Sequence, residues 1–187
     1  MLAPFLQDRA ALYVSGAMTA PERENFELIL EFEEEVRTTV AELQETMALA
    51  VTSAAPTRVL PPPALKARIL GSLSARPPRV APVAMVVTDG RGLTEWINPA
   101  FTAMCGYSLA ELRGRKPGHL LQGPATDRAA LDRIRAAVNA RRSCQETLVN
   151  YHRNGARYVA EISITPILDD DHQPVWFAAK ERVLAIA

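Results

Sequence analysis

Near residue 83 the hydrophobic rhythm of this chain changes from a spacing of three and four to a spacing of two, and one kind of element cannot carry both. Upstream, Phe26, Ile29, Leu30, Val36, Val40, Leu43, Met47 and Ala50 recur every three or four positions, which predicts amphipathic helix with a break inside Glu33-Glu34-Glu35. Thr19-Ala-Pro-Glu22 is a helix start. Thr19 can cap, Pro21 is tolerated in the first turn, and Glu22 stands at the capping-box position. An earlier helix over Asp8–Val14 should stop at Ser15-Gly16, where glycine supplies a left-handed end.

Downstream, Val83–Thr88 is an apolar β run closed by Asp89-Gly90, and Leu93–Ile97 can return beside it. Asn98-Pro99 opens a helix, Ser108 to Glu111 forms a second capping box, and Asp127 can cap Arg128–Asn139. Three strands follow, at Glu146–His152, Ala156–Pro166 and Pro174–Val183, with the hairpin signal Asn154-Gly155 between the first two. The predicted class is α+β: a small all-α helical module, then an antiparallel five-stranded sheet with helices on one face.

Residues 52–82 separate the two parts. Ser53–Leu60 is small and polar, Pro61-Pro62-Pro63 cannot be helix interior, and Arg76-Pro77-Pro78-Arg79 makes a second break. Between the breaks, Ala64–Leu73 is a short helix with Leu65, Ile69 and Leu73 on one stripe. Such a helix is marginal alone and must dock on something. The expected organisation is a partner-binding module at 1–75, with linker and fourth helix at 53–75, and a second domain at 83–187.

Lys plus Arg and Asp plus Glu both number 21 in the 187 residues, a balance that speaks against nucleic acid or an anionic membrane as the main partner. The neutrality conceals an asymmetry: residues 1–75 hold ten acids and six bases, and so carry −4. An acidic front module suits a basic protein partner. The two cysteines, Cys105 and Cys144, form no CxxC and no metal-ligand spacing. With no basic n-region after Met1 and no apolar window of membrane length, a cytoplasmic protein is expected.

The second part resembles the PAS superfamily over about 100 residues. The match runs through Asn98-Pro99, Cys105-Gly106-Tyr107-Ser108, Leu109–Gly114, Leu121-Gln122-Gly123-Pro124-Ala125-Thr126-Asp127, the Asn150 to Gly155 hairpin and Ile164-Thr165-Pro166. Within PAS it is similar to the flavin-binding LOV branch, whose Gly-x-Asn-Cys-Arg-Phe-Leu-Gln-Gly run holds the cysteine of the light-driven adduct. Here the run is Gly114-Arg-Lys-Pro-Gly-His-Leu-Leu-Gln-Gly123, and Pro117 or Gly118 stands where the cysteine would be. The resemblance implies a pocket in which Gln122 and Asn150 meet a ligand ring and Arg135 meets a phosphate, with Cys105 and His119 nearby. It also sets Ala160 in place of a second ring asparagine, Glu181 in place of a final-strand glutamine and His119 in place of a second phosphate arginine. The cofactor is left unknown, flavin included, and a buried Glu beside a flavin carbonyl would be costly unless protonated.

The first part resembles the N-terminal domain of anti-sigma factors, through Ala10-Ala11-Leu12-Tyr13, Gly16-Ala17-Met18, Pro21-Glu22-Arg23, Phe26-Glu27 and Val40-Ala41-Glu42-Leu43. Pro61-Pro62-Pro63 and Leu65–Leu70 are similar to that family's linker and fourth helix. At the spacing of the family's His-x3-Cys-x2-Cys zinc site this chain has Ile29, Glu33 and Val36, so no zinc is expected. What the resemblance implies is a sigma-factor partner of the extracytoplasmic-function type. The surface would be Leu12, Tyr13, Phe26, Ile29, Leu30, Val36, Val40 and Leu43, with Leu65 and Ile69 on the fourth helix.

No nucleophile turn, phosphate loop or paired carboxylates point to catalysis. Three functions compete: a sensory anti-sigma factor, a sensor of flavin or another small ligand, and a PAS homodimerisation adaptor.

Overall fold

The structure, a computed structural model, describes residues 2–54, 62–74 and 83–186. The first helix, α1 (Pro4–Ser15), is longer than the sequence suggests, because Pro4 fits the first turn of a helix. It ends at Gly16, whose φ of 73° gives the left-handed stop. At Thr19 the box forms: the Glu22 carboxylate accepts from the Thr19 backbone N–H at 2.8 Å and opens α2 (Ala20–Phe32). Glu33 then leaves the helical region, and α3 (Glu34–Ala54) continues in a new direction. Arg37 Nη1 reaches back to the carbonyl of Leu30 at 2.9 Å and so covers the exposed end of α2. Next comes α4 (Leu65–Ser74), whose Ile69 and Leu70 are about half exposed. Pro61, the Arg76–Arg79 break and the Leu73 side chain lie outside the described residues.

The rest is a five-stranded antiparallel sheet in the order β2-β1-β5-β4-β3. Its strands are β1 (Ala84–Asp89), β2 (Thr94–Ile97), β3 (Cys144–Tyr151), β4 (Arg157–Leu168) and β5 (Pro174–Ile186). Between β2 and β3 run α5 (Pro99–Cys105), α6 (Leu109–Leu112), α7 (Gly118–Leu121) and α8 (Arg128–Asn139). Asn98 welds α5 to the sheet: its Oδ1 accepts from the backbone N–H of Phe101 and of Met85, while its amide donates to the Val83 carbonyl at 2.7 Å. The Asn154-Gly155 turn forms, but only Gly155 adopts a positive φ, and the Asn154 side chain accepts from the Ala156 N–H instead.

Alternation along the strands gives the sheet two apolar faces. One face, with Ala84, Val86, Leu148, Ala160 and Ile162, packs against α5–α8. The other, with Met85, Val87, Ile167 and Ala178, is not left to solvent. It shares one core with Leu6, Ala10, Phe26, Ile29, Val36 and Val40 of α1–α3. Helices α5–α8 thus lie on one face of the sheet, as the sequence suggests, and the N-terminal helices α1–α3 cover the other. At the seam, the Phe32 ring meets Trp176 edge-on at 5.3 Å and Trp96 at 6.2 Å, and the Trp176 indole N–H donates to Glu95 at 2.9 Å.

This packing corrects the reading of the helical stripe as an open surface. Phe26, Ile29, Val36 and Val40 are buried within the chain's own core. Tyr13, Leu30, Leu43 and Leu65 are partly covered, while Leu12 and Ile69 remain about half exposed.

Candidate functional site

Between the sheet and α7–α8 lies a cavity of about 190 Å3. Its walls are apolar, with Val86, Leu148, Ile162 and Phe177 from the strands, Leu121 from α7, and Ile134 and Val138 from α8. Four polar side chains enter this lining: Thr88, Gln122, Asn150 and Glu181.

Local structure sets the last three. Gln122 follows α7 directly, and the loop after it is pinned to β3: the Thr126 hydroxyl donates to the Val149 carbonyl at 2.6 Å, and the Tyr151 hydroxyl accepts from the Ala125 N–H at 2.9 Å. Gly118 leaves room for the Gln122 amide, since a Cβ there would come within 2.5 Å of its Nε2. Asn150 sits on β3 opposite Tyr158 on β4, and Glu181 sits on β5 opposite Ile162 and Ala84, so these residues point to the same face.

The polar groups are buried without being satisfied. Asn150 is 2% exposed and Glu181 5%, yet Asn150 Oδ1, Glu181 Oε2 and Tyr158 Oη have no hydrogen-bond partner among the described residues. A buried polar atom left in this way costs about 1–3 kcal/mol. Two of them, on Asn150 and Glu181, line one chamber, and together they are a stronger sign of a binding site than either alone; Tyr158 lies beside Asn150 on the neighbouring strand, outside the lining. Burial raises the Glu181 carboxyl from its ordinary 4.5 to about 7. Burial also pushes the Tyr158 hydroxyl up, helped by the nearby Glu181 and Cys105; Asn150 acts weakly the other way without meeting hydrogen-bond geometry.

Of the five residues expected in the pocket, Gln122 and Asn150 line it. Cys105 is fully buried in α5, its sulfur taking the Tyr107 N–H at 3.4 Å and its thiol held in the protonated form by burial. It packs the core and does not line the cavity. Arg135 is exposed, paired with Asp132 at 2.8 Å, and belongs to a separate depression beside Gly123 and Pro124. His119 points to solvent from α7. Tyr158, buried opposite Asn150 but outside the lining, was not anticipated from the sequence, although alternation through Tyr158, Ala160 and Ile162 was there to place it inward. No cluster of metal-ligating side chains occurs among the described residues, and no described helix is long and apolar enough to cross a membrane.

The lining fits a flat ring better than it fits flavin mononucleotide as a whole. Two amides and apolar walls suit a ring, but the expected phosphate partners, Arg135 and His119, lie outside the cavity, and Glu181 brings a carboxyl where an amide would be needed.

Comparison with known proteins agrees with this geometry. A family model described as a PAS domain matches residues 82–180. The nitrogen fixation regulatory protein of Klebsiella pneumoniae is 32% identical over 107 residues, covering 57% of this chain and 21% of that protein. A blue-light-activated histidine kinase of Rhizobium johnstonii is 36% identical over 96 residues, covering 50% and 28%. A blue-light photoreceptor of Listeria monocytogenes is 30% identical over 103 residues, covering 54% and 40%. The chain thus spans only a minor part of the length of these relatives. Among solved structures, the LOV domain of the Erythrobacter litoralis EL346 blue-light activated histidine kinase superposes with a TM-score of 0.53 at 26% identity, over 57% of this chain and 99% of that one. The light state of the Aureochrome1 LOV domain gives 0.53 at 26%, over 55% and 81%.

Proposed function

Since the chain belongs to the PAS domain family through residues 82–180, we propose that it is a non-catalytic small-ligand sensor whose sheet couples the cavity to α1–α3 on its other side. The observation that carries this reading is the alternation of β5. Phe177, Ala179 and Glu181 line the cavity, while Ala178 underlies the α1–α3 core, Trp176 meets Phe32 and Lys180 lies 3.8 Å from Glu31 of α2. A ligand that shifts β5 must act on both compartments, because packed interiors pass on displacement instead of absorbing it. Signalling then requires only different ligand affinity for the docked and undocked arrangements.

The chain's two tryptophans, Trp96 and Trp176, both pack at that seam, so their emission reports on it. Ala179→Leu fills the cavity from β5. Red-shifted emission and faster amide exchange in α2 are expected for this variant; unchanged emission and exchange would remove the coupling.

The relatives named for blue light make flavin one ligand to test. With Pro117 and Gly118 where the adduct cysteine would stand, no thiol adduct is proposed even when flavin is supplied. A stable light-induced loss of absorption near 450 nm, a wavelength typical of flavins, would contradict this.

For the output we carry the anti-sigma reading as the partner proposal, with the protein in the cytoplasm and no direct contact with nucleic acid. It is favoured by the acidic α2 and α3 and by exposed Leu12, Met47, Leu49 and Val51. Phe26, Ile29, Val36 and Val40 would join that surface only once the helices leave the sheet. Co-purification of an extracytoplasmic-function sigma factor with the full chain tests it; homodimerisation without such a partner would favour the adaptor instead.

A further inference from the structure

The chemistry of the unsatisfied atoms restricts what the cavity can hold. Asn150 Oδ1 can only accept, and so can Glu181 once ionised. No Lys, Arg or His belongs to the lining. Tyr158 from β4 and Cys105 from α5 both feel the Glu181 carboxyl, and both are acids, so neither brings positive charge to it. An anionic ligand would therefore bring a second negative charge into a chamber already holding a carboxyl, with no compensating cation. A donor would satisfy two orphaned acceptors at once.

We propose that the cavity takes a small, flat, largely apolar molecule, neutral or cationic, whose N–H edge donates to Asn150 and Glu181, and that it discriminates against carboxylates and phosphates. This rests on the cavity being the sensory site. Leu148 and Phe177 from the sheet and Ile134 and Val138 from α8 would sandwich the body of the ligand, and the Gln122 amide, which can offer either face, would complete the edge. Phosphorylated flavin falls outside the class, in keeping with the position of Arg135 and His119 outside the lining.

The test compares three probes of one shape on the full chain by titration calorimetry: benzamidine, benzamide and benzoate. Benzamidine is expected to bind at least tenfold more tightly than benzoate, with benzamide between them. Glu181 becomes an acceptor-only anion as it ionises around pH 7, so benzamidine should bind about tenfold more tightly at about pH 8 than at about pH 6. Glu181→Gln keeps the shape and should flatten that pH profile and narrow the benzamidine-to-benzoate ratio; Asn150→Leu should weaken benzamidine with the pH profile retained. Benzoate binding as well as benzamidine, or a profile unchanged in E181Q, would overturn the proposal. So would the absence of binding by all three probes, or a chain that purifies with flavin mononucleotide. The last result leaves the sensor reading standing. That reading falls separately, if A179L also leaves the tryptophan emission and α2 exchange unaltered.

Discussion

Glu181 shows how one side chain can make stability depend on pH. Its folded-state value of about 7 lies above its ordinary 4.5, so the unfolded chain ionises first. Folding is then unpenalised by this group below about pH 4.5, and stability is lost as pH rises towards 7, after which the loss is constant. Glu181→Gln should accordingly leave stability near pH 4.5 almost unchanged and raise it at pH 8 by on the order of 1–3 kcal/mol. Urea unfolding at both pH values checks this, and equal effects at the two would show that Glu181 is not buried as an acid. In the sequence, Gln122 and Asn150 were legible as pocket residues because amides at those motif positions have few other uses. Glu181 was legible as an odd substitution. Tyr158 was not, because an aromatic on a strand reads equally well as core. Arg135 and His119 were assigned by motif alone, and motif position does not fix which way a long side chain turns.

Among the elements, the corner between α2 and α3 shows how local sequence sets a global angle. Three successive glutamates give no sign of direction, yet Glu33 turns extended with φ −98° and ψ 106°, and Arg37 covers the carbonyls that this frees. Arg37→Ala should cost about 1 kcal/mol by leaving those groups to solvent alone, with faster amide exchange confined to the end of α2. Phe26→Ala, in contrast, removes a ring that is 1% exposed at the centre of the shared core. It should cost roughly 3–5 kcal/mol in thermal or chemical unfolding. The starts of α2, α5, α6 and α8, the break and all five strands could be read in advance, since caps, periodicity and turn residues act over a few positions; the start of α1 at Pro4 and the single turn of α7 could not. What could not be read was where the apolar stripe of α2 goes. A stripe announces that it will be covered, and the spacing is the same whether the cover is another chain or this chain's own sheet.

For the whole molecule, that choice of cover has a measurable price. Residues 83–186 taken alone would expose Met85, Val87, Ile167 and Ala178, together with Trp96 and Trp176, as one apolar field on the sheet. A chain lacking α1–α4 should therefore self-associate or precipitate, whereas the full chain should not do so through this face; light scattering at matched concentration decides. A truncated chain that stays monodisperse and monomeric would show that the helices are dispensable as a cover.

Between the chamber on one side and the helices on the other there is a partition a single backbone thick. News of what occupies the interior therefore needs no lever arm and no travelling hinge: a strand whose odd and even residues belong to different rooms is already the wire. The same economy leaves little insulation. A substitution made to tune one room will be felt in the other, so sensitivity and response in this protein should prove hard to adjust separately.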